Sequence, residues 1–128
     1  MHVSERMLRD VTLLAEEESV QAAAQAIADL DSRFILVGTG GRVAGIVTAR
    51  DILIRLVAAG LDPVATPVSQ VMSSSLFTCT EQETAETAVE RMAEHEIEQM
   101  PVLDTDGRLT GVITRRAAET LNPSNATR

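Results

Sequence analysis

The sequence predicts a mixed α/β (α+β) fold made of two tandem units, each running strand, helix, strand, strand, helix. Three observations predict it. First, the chain repeats itself: "GRVAGIVTARD" at Gly41 to Asp51 is restated as "GRLTGVITRRA" at Gly107 to Ala117, an offset of 66 (107 minus 41). "VSERM" at Val3 returns as "VSQVM" at Val68, an offset of 65 (68 minus 3), so a duplication with one inserted residue accounts for both. Second, each repeat carries one apolar stripe of helical spacing. Third, each carries two short apolar runs joined by a glycine-containing turn, the signature of a hairpin.

In order along the chain, Val11 to Leu14 and Leu76 to Cys79 are apolar runs of strand length. Val20, Ala23, Ala24 and Ile27 follow at i, i+3, i+4 and i+7, and Ala85, Ala88, Val89 and Met92 repeat that spacing, giving one buried helical face per repeat. Thr80 with Glu83 reads as a capping box that starts the second of these helices. "RFILV" and "QMPVL" lead through "GTGGR" and "DTDGR" into "VAGIV" and "LTGVI". After Thr48 a last helix carries Ile52, Leu53, Leu56 and Val57 and stops at Gly60; its counterpart after Thr114 is short and ends near Asn122-Pro123. The repeats are therefore expected at 1–62 and 68–121, joined by a linker at 63–67 within the proline-bearing "GLDPVATPVS", with residues 122–128 as a disordered tail.

At 128 residues each half would be marginal alone, so the two are expected to pack on one another. Hydrophobic residues make up 45% and charged residues 23%, the balance of a folded domain. A net charge of -8 argues against a nucleic-acid duplex or an anionic membrane surface as partner, because both repel an acidic protein at long range, although a local basic pocket stays open. The single cysteine, Cys79, forms no intrachain disulfide and is expected as a buried structural thiol. "MHVSERMLRD" holds no apolar run of the signal-peptide kind and no segment reaches membrane-spanning length, so the cytoplasm is the expected compartment. No metal site is expected: His2 and His95 lack a second ligand at metal spacing, and His95 lies on a stretch of glutamates. Glu16 to Glu18 read as a solvated lead-in to a helix.

Two patterns bear on chemistry. Thr48 and Asp51, as T-x-x-D at a helix start, are either a mutual cap or a hydroxyl and carboxylate aimed at a ligand, and spacing alone leaves both open. Arg50, Arg115 and Arg116 fall in the first turns of two helices, where the macrodipole disfavours cations. An anion such as phosphate would explain them; so would helix propensity. Phe34 and Phe77 are the only aromatic residues among Phe, Trp and Tyr, and each reads as core packing or as a stacking partner for a base.

Two tandem units of this order, with "VSxxM" turns and endings on the pattern G-h-h-T-x-x-D, resemble a CBS-domain pair, or Bateman module; "EIEQMPVLDTDGRLTGVIT" is especially similar to the family's pattern. The resemblance runs from about Val3 to Leu121 and implies two CBS units packed as a pseudo-two-fold pair. It implies a non-catalytic regulatory module that takes an adenosine-containing ligand (AMP, ADP, ATP, NAD or S-adenosylmethionine) in clefts between the units and signals to an unidentified regulated protein. The cleft completed by Thr48 and Asp51, with Arg50, would be walled by Leu76, Phe77, Ile97, Met100 and Pro101, with Arg115 and Arg116 toward the phosphates. The reciprocal cleft would use Thr114, Val11, Thr12 and Phe34. Two departures stand out: Ile35 occupies the place that Pro101 holds in the second unit, and Ala117 replaces the acid that Asp51 supplies in the first. The weaker cleft is therefore the one ending in Ala117. The alternative is an interaction module with vestigial pockets. An enzyme is disfavoured, since no Ser/His or Cys/His constellation, metal set or phosphate loop is present. The apolar excess of the helix after Thr48, with Ile54 added to its stripe, predicts a homodimer.

Overall fold

The computed structural model describes residues 1–9 and 11–119, and they form two compact units. One is contiguous, Thr12–Leu76; the other combines Met1–Val11 with the chain from Phe77 onward. Each contains one three-stranded sheet, so the mixed α/β class predicted from the repeats is the class observed.

In the contiguous unit, β1 (Leu13–Leu14) runs parallel to β2 (Phe34–Thr39), which pairs antiparallel with β3 (Arg42–Thr48). Gly40 and Gly41 make the hairpin turn with φ of 61° and 78°, the left-handed pair that a two-residue hairpin connection requires. Helix α1 (Val20–Asp29) is capped by Ser19, whose hydroxyl accepts from Ala22 N at 3.1 Å. The next orphan amides are met from the predicted linker: Val20 N donates to the Thr66 carbonyl at 2.9 Å and Gln21 N to that of Pro63 at 3.0 Å. The core joins Val20 and Ala23 of α1 to Ile35, Val37 and Val47 of the sheet and to Leu56, Val68 and Val71.

The discontinuous unit repeats this plan. β4 (Cys79–Thr80) lies parallel to β5 (Gln99–Leu103), which pairs antiparallel with β6 (Leu109–Thr114). The hairpin is closed by Asp104, whose Oδ1 accepts from Asp106 N and Arg108 N, both at 2.9 Å. Thr84 caps α3 (Ala85–Glu94), and the Met1 carbonyl accepts from Ala85 N at 2.8 Å. Val3 and Met7 join Ala88, Met92, Met100 and Ile113 in the core.

The spatial units thus divide the chain elsewhere than the sequence repeats do. "VSQVM" docks on the sheet of the first repeat, where Ile46 and Ser73 exchange backbone hydrogen bonds of 3.0 and 2.9 Å. "VSERM" docks on the sheet of the second, where Leu8 and Val112 exchange bonds of 2.8 and 2.9 Å. Gly45 and Gly111 sit under these crossings. A Cβ on Gly45 would stand 2.6 Å from Met72 Sδ, and one on Gly111 would collide with the Leu8 carbonyl oxygen.

Several local expectations are corrected. The first strands are two residues each: β1 keeps Leu13–Leu14 of the predicted run, whereas β4 keeps only Cys79 and adds Thr80. Ahead of them Val11 N turns back to the Arg9 carbonyl and Leu76 N to that of Ser74, each at 3.0 Å. Thr80 and Glu83 do not start a helix: Thr80 N donates to Glu83 Oε2 at 2.8 Å within a turn, and α3 begins four residues later behind Thr84. Ala24 faces solvent, and Ala26 packs on the core instead. The helix after Thr48 is split into α2 (Ala49–Ile52) and a π-helical turn, Leu53–Val57, in which Ala58 N reaches back five residues to the Leu53 carbonyl at 2.9 Å. Ile52 and Leu56 face the core, whereas Leu53, Ile54 and Val57 are exposed. Gly60, φ 73°, follows this turn. α4 is Arg115–Glu119, and its predicted end near Asn122 and the tail 122–128 lie outside the described residues.

Candidate ligand-binding site

β3 delivers Thr48 to the sheet edge opposite Phe34, and the backbone turns there into α2. Thr48 Oγ1 accepts from Asp51 N at 3.1 Å, and Asp51 Oδ2 accepts from Thr48 N at 2.9 Å, so both halves of a capping box are made. The other carboxylate oxygen, Oδ1, stands 4.0 Å from Arg55 Nε, beyond hydrogen-bond range. Asp51 therefore has one oxygen committed to the helix and one that retains acceptor capacity. A single free carboxylate oxygen can take hydroxyl donors of a ribose. Arg50, on the first turn of α2, is exposed.

The equivalent position in the other unit is simpler. Thr114, opposite Gln99, accepts from Ala117 N at 3.2 Å, and Ala117 offers no carboxylate to return the bond. Arg115 pairs with Glu119 at 3.4 Å, and Arg116 is exposed. The charge that made Arg115 conspicuous in the sequence is thus matched along its own helix.

The remaining predicted residues fall into distinct environments. Thr12 is exposed, while Val11, Phe34 and Leu76 are half-buried. Phe77 is 38% exposed and stacks on the imidazole of His95, ring centroids 3.8 Å apart and 14° from parallel. In the sequence His95 is a histidine among glutamates with no second ligand at metal spacing. Its partnership with a residue 18 positions away has no sequence signature. Ile97 packs against the core of its unit; Met100 is fully buried there, and Pro101 is buried beside it, its carbonyl 3.9 Å from Cys79 Sγ. Met100 is part of that unit's core. The contiguous unit contains Thr48, Arg50, Asp51, Phe34, Thr12 and Leu76, of which Thr48 meets Asp51 through the cap and Phe34 across the sheet; Val11, Phe77, Ile97, Met100, Pro101, Thr114, Arg115 and Arg116 belong to the other.

Burial pushes the Cys79 thiol up to about 11; the Glu83 carboxylate adds to the rise and the Arg91 guanidinium opposes it. That thiol is a core group rather than a nucleophile. Among the described residues no three His, Cys, Asp or Glu side chains come together as a metal site, and no helix is long and apolar enough to cross a membrane.

A family model described as the CBS domain matches residues 3–58 and again 68–118. The chain belongs to the CBS-domain family. Its CBS repeats are similar to the CBS domain-containing protein YhcV of Bacillus subtilis, 32% identical over 111 residues that cover 87% of this chain and 78% of that one. The CBS domain-containing protein CBSCBSPB3 of Arabidopsis thaliana is 33% identical over 97 residues, 76% of this chain but 17% of that protein. The chain therefore spans about a sixth of the length of that curated relative. Among solved structures, the CBS domain protein of Pyrobaculum aerophilum complexed with AMP superposes with a TM-score of 0.86 over 99% of this chain and 96% of that chain, at 24% identity, which shows a shared fold.

Proposed function

We propose that this CBS pair is a regulatory, non-catalytic module that binds an adenosine-containing ligand (AMP, ADP, ATP, NAD or S-adenosylmethionine) and passes its occupancy to a partner protein. The observation that carries the reading is the asymmetry of the two helix starts. Thr48 and Asp51 form a complete T-x-x-D pair with one carboxylate oxygen outside the cap, whereas Thr114 faces Ala117. A CBS-pair relative of the same fold complexed with AMP supports the ligand class.

Of the arginines, Arg50 and Arg116 are the proposed phosphate contacts, and Phe77 is the proposed wall for the base. Binding is unequal: the Asp51 site holds ligand and the Ala117 site holds it weakly or not at all. Losing charge-assisted hydrogen bonds to a ribose costs about 1.5 to 3 kcal/mol, or roughly tenfold to a hundredfold in affinity. The exposed Leu53, Ile54 and Val57 are proposed to meet a second copy of the chain. The cytoplasm is the proposed compartment.

Native mass spectrometry of the purified protein, followed by a thermal-shift panel of the five compounds and calorimetry with the best of them, tests the reading. One site per chain supports it. Ala117 favours a second reading, an assembly module with vestigial pockets. Persistent dimerisation with no shift from any of the five would establish that one.

A further inference from the structure

We propose that Arg55 is a positioning residue for Asp51, a reading that rests on the proposed ligand role of that carboxylate. Three observations within the contiguous unit carry it. Arg55 Nη1 donates to the carbonyls of Val71 at 3.2 Å and Met72 at 3.0 Å, so its guanidinium is fixed at one end by backbone. Its Nε then stands 4.0 Å from Asp51 Oδ1, the oxygen that the cap leaves unused. Val71 itself is fully buried, which anchors one of the two carbonyls.

The distance matters. At 4.0 Å the guanidinium attracts the carboxylate, yet it is too far to occupy Oδ1 as a hydrogen-bond donor. Arg55 thus orients the carboxylate while the lone pairs of Oδ1 stay available for hydroxyl donors. The planar fork suits this role better than an ammonium would, because two of its edges act at once. The π-helical turn contains Arg55 and delivers it between Asp51 and the Val71–Met72 backbone. The same contact links the carboxylate to the segment whose Ser73 pairs with Ile46 of β3.

The test is a double-mutant cycle with Asp51→Asn and Arg55→Ala, read in two ways on the full chain. Calorimetric titration with AMP, and with S-adenosylmethionine as a second probe, is expected to show affinity falling about tenfold in Arg55→Ala, with Arg55→Lys between it and wild type. In the Asp51→Asn background the Arg55 change should alter residual affinity less than twofold, because nothing is left to position. Ligand-free urea denaturation of the same four proteins should give non-additive losses. Arg55→Ala that is less stable but binds AMP as wild type does would make Arg55 a strut to Val71 and Met72 and overturn the proposal. Strictly additive ligand-free losses would also overturn it. If wild type binds neither probe, the functional reading fails, and the ligand-free cycle alone decides whether Arg55 holds Asp51.

Discussion

Thr48 and Asp51 hold each other's backbone, amide to side chain in both directions, at 3.1 and 2.9 Å. The cap left open by the sequence is therefore made, and it does not use the whole carboxylate. Asp51→Asn keeps an acceptor for Thr48 N, so the ligand-free protein should lose about 1 kcal/mol or less and a few degrees of Tm. Its thermal shift with AMP should largely vanish. Thr114→Ala, which removes only the bond from Ala117 N, should cost a similar small stability and leave the AMP shift in place. Differential scanning fluorimetry separates the two: a large drop in ligand-free Tm with an intact AMP shift would confine Asp51 to capping.

The glycine of each G-h-h-T ending has a packing reason. Gly111 lies under the Leu8 carbonyl, a backbone atom that cannot swing aside, whereas Gly45 meets Met72 Sδ at 2.6 Å and the Ser73 carbonyl at 2.9 Å. Gly111→Ala should destabilise by about 1 to 3 kcal/mol and Gly45→Ala by less, because its backbone contact is looser, 2.9 Å to the Ser73 carbonyl oxygen, and the thioether can move. Urea midpoints measure this. A Gly111→Ala protein as stable as wild type would mean that the Val3–Leu8 segment does not sit on β6.

Among the described residues, two non-glycine residues adopt left-handed backbone, both at helix ends: Asp31, φ 50°, after α1 and Glu96, φ 56°, after α3. Each is followed by an amide that returns to the helix, Ser32 N to the Ile27 carbonyl at 3.0 Å and Ile97 N to that of Met92 at 2.9 Å. Glu96→Gly should raise stability by about 1 kcal/mol, and Asp31→Gly by less, since aspartate tolerates this conformation better than glutamate. Unchanged or lower urea midpoints in both variants would show that the strain is absent.

Cys79 sets an alkaline limit. Its folded pKa of about 11 lies above the ordinary thiol value of 9.0, so the unfolded chain releases the proton first. The stability it confers is whole below pH 9.0 and is lost as pH rises toward 11, at about 1.4 kcal/mol per pH unit. Cys79→Ala should flatten the stability profile in that window, whatever its cost near neutral pH. A thiol that reacts with Ellman's reagent at pH 8 without unfolding would contradict the burial.

The proposed dimer places Leu53, Ile54 and Val57, exposed to 61%, 49% and 61%, against a second copy. Leu61 and Val64 extend the apolar sequence. Ile54→Glu with Val57→Glu should give a folded monomer by sedimentation equilibrium at tens of micromolar. A wild-type monomer at that concentration would remove the proposal.

Periodicity determined a great deal without any coordinates. Helical spacing of apolar residues located α1 and α3, apolar runs joined by glycine-containing turns located both hairpins, and the duplicated motif identified Thr48 and Thr114 as equivalent helix starts, because local backbone preference and one buried face suffice to specify such elements. Tertiary structure decided what spacing cannot encode. It placed "VSERM" on the sheet of the second repeat and "VSQVM" on that of the first, since backbone pairing between distant segments leaves no period in the sequence. It buried Met100 and Pro101 in a core, stacked Phe77 on His95, and matched Arg115 with Glu119. It also divided the carboxylate of Asp51 between a cap and an open oxygen near Arg55. Each of these is a choice among partners that are equally compatible with the residue type, and only packing in three dimensions, where a side chain meets one neighbour and excludes the others, makes it.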